Sequence, residues 1–106
     1  MAETKRNIKI GHIAIWTKDL EKTKDFYVKY FNAVSGERYH NPTKRFTSCF
    51  LSFKNCSVKI ELMHQPGVLE PFGKKGITNG LAHLAISVGS KENVNSVTER
   101  LRKDNF

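Results

Sequence analysis

Gly11-His12-Ile13-Ala14-Ile15 returns 71 positions later, barely altered, as Ala82-His83-Leu84-Ala85-Ile86. A short polar turn and a helix-like stretch follow each copy, so one structural unit is used twice. Both copies carry a histidine at the same place, and imidazole is a metal ligand by chemistry. A duplicated unit presenting one histidine per copy can bring two imidazoles to a shared seam.

Working outward from the first copy, Ile8, Ile10, His12, Ala14 and Trp16 alternate with Gly11, Ile13 and Ile15, which predicts a strand over 8–16. Asp19 stands where a helix N-cap belongs, with Glu21 in the first turn. Leu20, Thr23, Phe26, Tyr27, Tyr30 and Phe31 recur at helical spacing and predict a helix over 19–32 that packs this stripe on a sheet. A short strand is expected at 37–39, broken by Asn41-Pro42. A hairpin should follow, with strands over 45–53 and 57–63 about a turn at Lys54-Asn55-Cys56. In its second strand Val58, Ile60 and Leu62 face one way, and Lys59, Glu61 and Met63 the other. The first unit therefore reads β-α-β-β-β.

Residues 65–80 carry two Pro and four Gly without periodicity, as a linker or lid does. The second copy predicts a strand over 81–88, then a helix capped by Ser90, with Val94, Val97 and Leu101 on its apolar side, running to about Lys103. The expected organisation is one domain over 1–106: a first module at about 8–64, a linker or lid at 65–79, and a partial second module at 80–106. The 71-residue offset puts the last three strands of the second module beyond Phe106, so the sequence reads as a fragment or as a sheet that another chain completes.

A hydrophobic fraction of 39% and a charged fraction of 26% are those of a globular protein. No apolar run approaches the ~20 residues of a membrane span and no signal-peptide core is present, which makes the cytoplasm the expected compartment and argues against a membrane partner. The net charge of +8 comes from 18 Lys and Arg against 10 Asp and Glu. These charges are scattered and accompany no nucleic-acid-binding motif, so no nucleic-acid partner is expected, while an anionic small molecule is compatible. Cys49 and Cys56 lack metal-site or redox spacing and read as ordinary thiols.

His12, Glu61 and His83 stand out because each falls on a strand face opposite the aliphatic run. Two imidazoles and a carboxylate suit a divalent metal. Singly, a strand histidine can be a satisfied sheet residue and Glu61 can pair with Lys59 or a nearby Arg. The residues alone leave both readings open.

The β-α-β-β-β unit used twice resembles the vicinal oxygen chelate superfamily, which includes glyoxalase I, bleomycin-resistance proteins, extradiol dioxygenases and methylmalonyl-CoA epimerases. Residues 11–31 are similar to its opening strand and helix, 57–63 to its fourth strand, and 80–88 to the start of its second module. The resemblance implies an α+β fold of paired β-α-β-β-β modules forming a half-open curled sheet, here with the second module cut short after its helix. It implies His12, Glu61 and His83 as metal ligands, with Zn or Ni first and Fe, Co or Mn as alternatives. A fourth carboxylate ligand, also the catalytic base in glyoxalase I-like members, would fall at position 132, beyond Phe106.

Glutamate at position 61 is implied for glyoxalase I-like members and glutamine for epimerase-like ones, which ranks the former nearest. Trp16 and Gln65 stand where glyoxalase I has an Arg and an Asn that help hold glutathione. The activity implied is a metal-dependent lyase or isomerase acting on a small substrate with vicinal oxygens, in a homodimer whose cleft draws on both chains. A ligand-sequestering protein of the bleomycin-resistance kind is the alternative. An Fe(II) ring-cleaving dioxygenase ranks below both, because it would leave Glu61 unexplained. Trp16, Phe46, Phe50 and Met63 are candidates either for the cleft lining or for the core.

Overall fold

A computed structural model describes residues 8–69 and 79–106. Its elements in chain order are β1 (His12–Trp16), α1 (Leu20–Phe31), β2 (Val34–Ser35), β3 (Tyr39–Asn41), β4 (Phe46–Ser52), β5 (Lys59–His64) and α2 (Lys91–Lys103). The fold is α+β: two helices and an open mixed sheet of five strands in the order β1-β5-β4-β2, with β3 also on β4.

The helix starts where the sequence places it. Asp19 accepts a hydrogen bond from the Lys22 backbone N–H at 3.0 Å, satisfying one of the donors a first turn leaves free. Asn32 ends α1 in the left-handed conformation, φ 56°, and its N–H returns to the Tyr27 carbonyl. The stripe on α1 divides between two jobs. Leu20 is buried in the core and Tyr27 packs against it, whereas Phe26 and Tyr30 stack on Phe106, at 5.1 and 5.6 Å between centroids.

β1 and β5 run parallel, with Ile13 opposite Ile60 and Ile15 opposite Leu62. β4 returns antiparallel to β5, pairing Cys49 with Leu62 and Leu51 with Ile60. These apolar positions meet Leu20 and Ala33 in the buried core, where Leu51 and Leu62 are fully enclosed. The short strand expected at 37–39 is displaced. Two pieces, β2 and β3, lie along the same neighbour β4, separated at 36–38. Gly36 still donates its N–H to the Phe50 carbonyl at 2.8 Å, while Arg38 leaves the edge to pair with Glu21 of α1.

The second copy departs from expectation. Residues 81–88 belong to no ladder, so His83 lies on no strand. The physical reason is visible in β1, which β5 holds in register; among the described residues 81–88 have no such neighbour. Only its inward positions find cover, with Leu84 packed against the core. α2 forms as expected, with Ser90 accepting from the Asn93 N–H at 3.1 Å, yet it buries no residue completely. Most of the proposed lid, 70–78, lies outside the described residues.

Candidate metal centre

Strand alternation separates β1 and β5 into two faces. Ile13, Ile15, Ile60 and Leu62 turn to the core; His12, Ala14, Trp16, Lys59, Glu61 and Met63 turn to the opposite face, which α1 leaves open. The β1–β5 register sets Ala14 beside Glu61 and His12 beside Lys59. His12, the first residue of β1, is thus the diagonal neighbour of Glu61, a separation long side chains bridge.

They do meet. His12 Nε2 lies 3.5 Å from Glu61 Oε1, with the imidazole half exposed and the carboxylate 17% exposed. That separation is too long for a strong hydrogen bond. It is close to the ~3.4 Å expected between two ligand atoms each ~2.1 Å from one tetrahedral ion. Among the described residues Glu61 meets His12, and neither Lys59 nor an Arg pairs with it. Phe50, on β4 opposite Glu61, sets its ring edge-on to the His12 imidazole, centroids 5.2 Å apart at 89°. This contact was not foreseen beyond the general candidacy of Phe50; the β4–β5 register supplies it.

The third ligand candidate is elsewhere. His83 is exposed on the 81–88 segment, and among the described residues no three of His, Cys, Asp and Glu come together as a metal would require. Of the three candidates, the structure brings together His12 and Glu61.

The open face also resolves the dual candidacy of the aromatic residues. Trp16 is 49% exposed and Phe50 37%, which removes both from the core. Trp16 meets Phe46 edge-to-face at 6.1 Å, and Phe46 meets Tyr39 at 6.2 Å, a row of rings running outward across the sheet. A separate cavity of about 540 Å³ lies between α2 and the end of α1. Its lining, which includes Asn32, Lys54, Asn93 and Arg100, holds no His, Cys, Asp or Glu.

Residues 11–106 match the family model of the glyoxalase/bleomycin resistance protein/dioxygenase superfamily. The chain belongs to that superfamily. Methylmalonyl-CoA epimerase of Dictyostelium discoideum is 32% identical over 83 residues, covering 76% of this chain and 49% of the relative. The Bos taurus enzyme is 31% identical over 98 residues, 90% and 53% of the two chains. The chain thus spans about half the length of the curated relatives it matches. These relatives are named for the epimerase branch, which glutamate at position 61 had ranked behind glyoxalase I.

Two solved structures share the fold. Glyoxalase I of Leishmania major superposes with a TM-score of 0.73 at 20% identity, over 93% of this chain and 68% of that one. A variant of the fosfomycin resistance protein FosX from Listeria monocytogenes, solved with Mn(II) and a dihydroxypropylphosphonic acid, gives 0.67 at 25% identity, over 90% and 68%.

Proposed function

We propose that the chain supplies His12 and Glu61 to a divalent-metal centre and serves a glyoxalase I-like lyase or isomerase reaction on a small substrate with vicinal oxygens. The observation that carries this reading is the 3.5 Å approach of His12 Nε2 to Glu61 Oε1 on the open sheet face. Zn or Ni suits a mixed imidazole and carboxylate set, with Fe, Co or Mn as alternatives. Such an ion supplies Lewis acidity to neighbouring substrate oxygens. FosX, solved with Mn(II), supports metal use, and the epimerase relatives favour the isomerase form.

The protein's own residues bind and orient. Glu61, largely shielded, is the anionic donor; His12 is steadied by the Phe50 ring edge. Lys59, beside His12 in the ladder and exposed, places a cation where an anionic substrate head would lie. His83 completes the set from a second copy of the chain, in keeping with a homodimer whose cleft is shared. The scattered charge fits a small-molecule partner.

A second reading, ligand sequestration without chemistry, is favoured by the separation of His83 from the pair. Elemental analysis of the purified protein decides between them. Zinc or nickel near one per chain, lost in both His12→Ala and His83→Ala, supports the metal centre. A folded protein without metal leaves sequestration.

A further inference from the structure

Asn93, Ser96, Val97 and Arg100 of α2 follow one another at three- and four-residue spacing, so they share one side of the helix. All four line the cavity of about 540 Å³ between α2 and the end of α1. A helix that packs on a core carries an apolar stripe on its inner side. Along this cavity α2 carries a single valine among polar and charged residues, and it buries no residue completely. That side is made to meet something other than protein interior.

The charge of the cavity has one sign. Lys54, from the turn between β4 and β5, and Arg100 both line it, and no Asp or Glu does. Among the described residues neither cation pairs with a carboxylate; at the end of α2, Glu99 pairs with Arg102 and Asp104 with Lys29. Two uncompensated cations around one concave space repel each other, and an anion between them relieves it.

The polar groups are partly set in place. Arg100 donates to the Lys29 carbonyl at 2.8 Å and lies over the Tyr30 ring, 5.4 Å from its centroid. A guanidinium carries five N–H donors, so that bond leaves others for a ligand. Asn93 donates its side-chain amide to the Val88 carbonyl at 2.7 Å, which fixes its own carbonyl oxygen at the cavity wall. Phe31, Phe53 and Ile86 supply an apolar side. A held guanidinium fork with an ammonium nearby suits the several oxygens of a phosphate, and the apolar side suits what the phosphate is attached to.

We propose that this cavity is a second binding site, for a phosphomonoester on a small apolar or aromatic body. Arg100 and Lys54 take the phosphate, and Phe31 and Phe53 border the body. The cavity shares no residue with the His12–Glu61 pair, so the site does not depend on a metal there.

Phenyl phosphate is the probe, with inorganic phosphate as the head alone. Calorimetry on the full chain should show saturable binding of phenyl phosphate, about tenfold tighter than inorganic phosphate, the scale of one ring partly buried. Lys54→Gln alters an exposed residue and should weaken phenyl phosphate about tenfold at an unchanged urea midpoint, the loss of one charge-assisted contact. Arg100→Lys keeps the charge but loses the fork, and should weaken binding as well. Should Arg100→Lys also loosen α2, Lys54→Gln still judges the site. Lys44→Gln removes the same charge from the turn between β3 and β4 and should change nothing. In nitrogen-edited NMR the side-chain amides of Asn32 and Asn93 should shift on titration. Absence of saturable binding overturns the proposal, as does binding that Lys54→Gln leaves unchanged. Equal weakening in Lys54→Gln and Lys44→Gln, the mark of general attraction to a basic protein, overturns it too.

Discussion

Glu61 and Leu62 are consecutive on β5, and strand alternation gives them opposite work. Leu62 is fully buried between Ile15 of β1 and Cys49 of β4, whereas Glu61 faces out toward His12. Substituting each should therefore separate stability from binding. Leu62→Ala leaves a cavity in a core built from few residues and should cost about 2–5 kcal/mol, seen as a lower urea midpoint. Glu61→Ala removes the carboxylate altogether. On the proposed metal reading Glu61 binds the ion directly, and outer partners of a metal ligand alone are worth ~10–100-fold in affinity, so this substitution should weaken zinc binding by more than ~100-fold with little change in the urea midpoint. Weakened zinc binding in Leu62→Ala at a temperature where it remains folded, with none in Glu61→Ala, would contradict the assignment of faces.

At the scale of elements, α2 is held to α1 mainly at its end. Tyr30 donates to Asp104 at 2.5 Å, Lys29 lies 3.2 Å from the same carboxylate, and Arg100 donates to the Lys29 carbonyl at 2.8 Å. The Tyr30 hydroxyl, and after it Lys29, holds the Asp104 carboxyl below its ordinary pKa. The hydrogen bond to Asp104 raises Tyr30, and Lys29 likewise, above theirs. A lowered carboxylate stabilises the folded state above its unfolded pKa, and that contribution is lost as pH falls through the folded value. The raised Tyr30 and Lys29 stabilise below their unfolded values and lose that contribution as pH rises through the folded ones. Docking of α2 should hold through neutral pH and loosen below about pH 4. Hydrogen exchange should show α2 amides less protected there than at neutrality, and Asp104→Asn should show the loss at pH 7; equal protection at both pH values would rule the latch out. The sequence announced both helices through their caps, Asp19 and Ser90, because a cap is a local hydrogen bond. It placed His12 beside Glu61 in kind, through alternation and a family resemblance. The Asp104 latch and the ladder-free 81–88 segment were not legible, since each depends on which distant neighbour is present rather than on local pattern.

For the whole molecule, the exposed surfaces argue for a partner. β1 ends the β1-β5-β4-β2 order, so its outer edge is unpaired among the strands, and the 81–88 segment is in no ladder at all. An apolar groove of about 330 Å³, bordered by Ile13, Val58, Leu84 and Ile86, runs between the two. Open edges beside an apolar groove are a standing invitation to association unless covered. On the proposed reading a second copy covers them symmetrically and brings its own His83 to the pair, so light scattering should give twice the 12.1 kDa chain mass. The decisive test uses two defective proteins together. If each centre takes His12 and Glu61 from one copy and His83 from the other, His12→Ala and His83→Ala chains refolded in equal amounts should form heterodimers with one intact centre. Zinc should then return to about a quarter of the unaltered stoichiometry, because half of randomly assorted dimers are mixed and each mixed dimer restores one of two centres. Chains that each supply all three ligands to their own centre recover nothing on mixing, and that result would confine the site to one subunit.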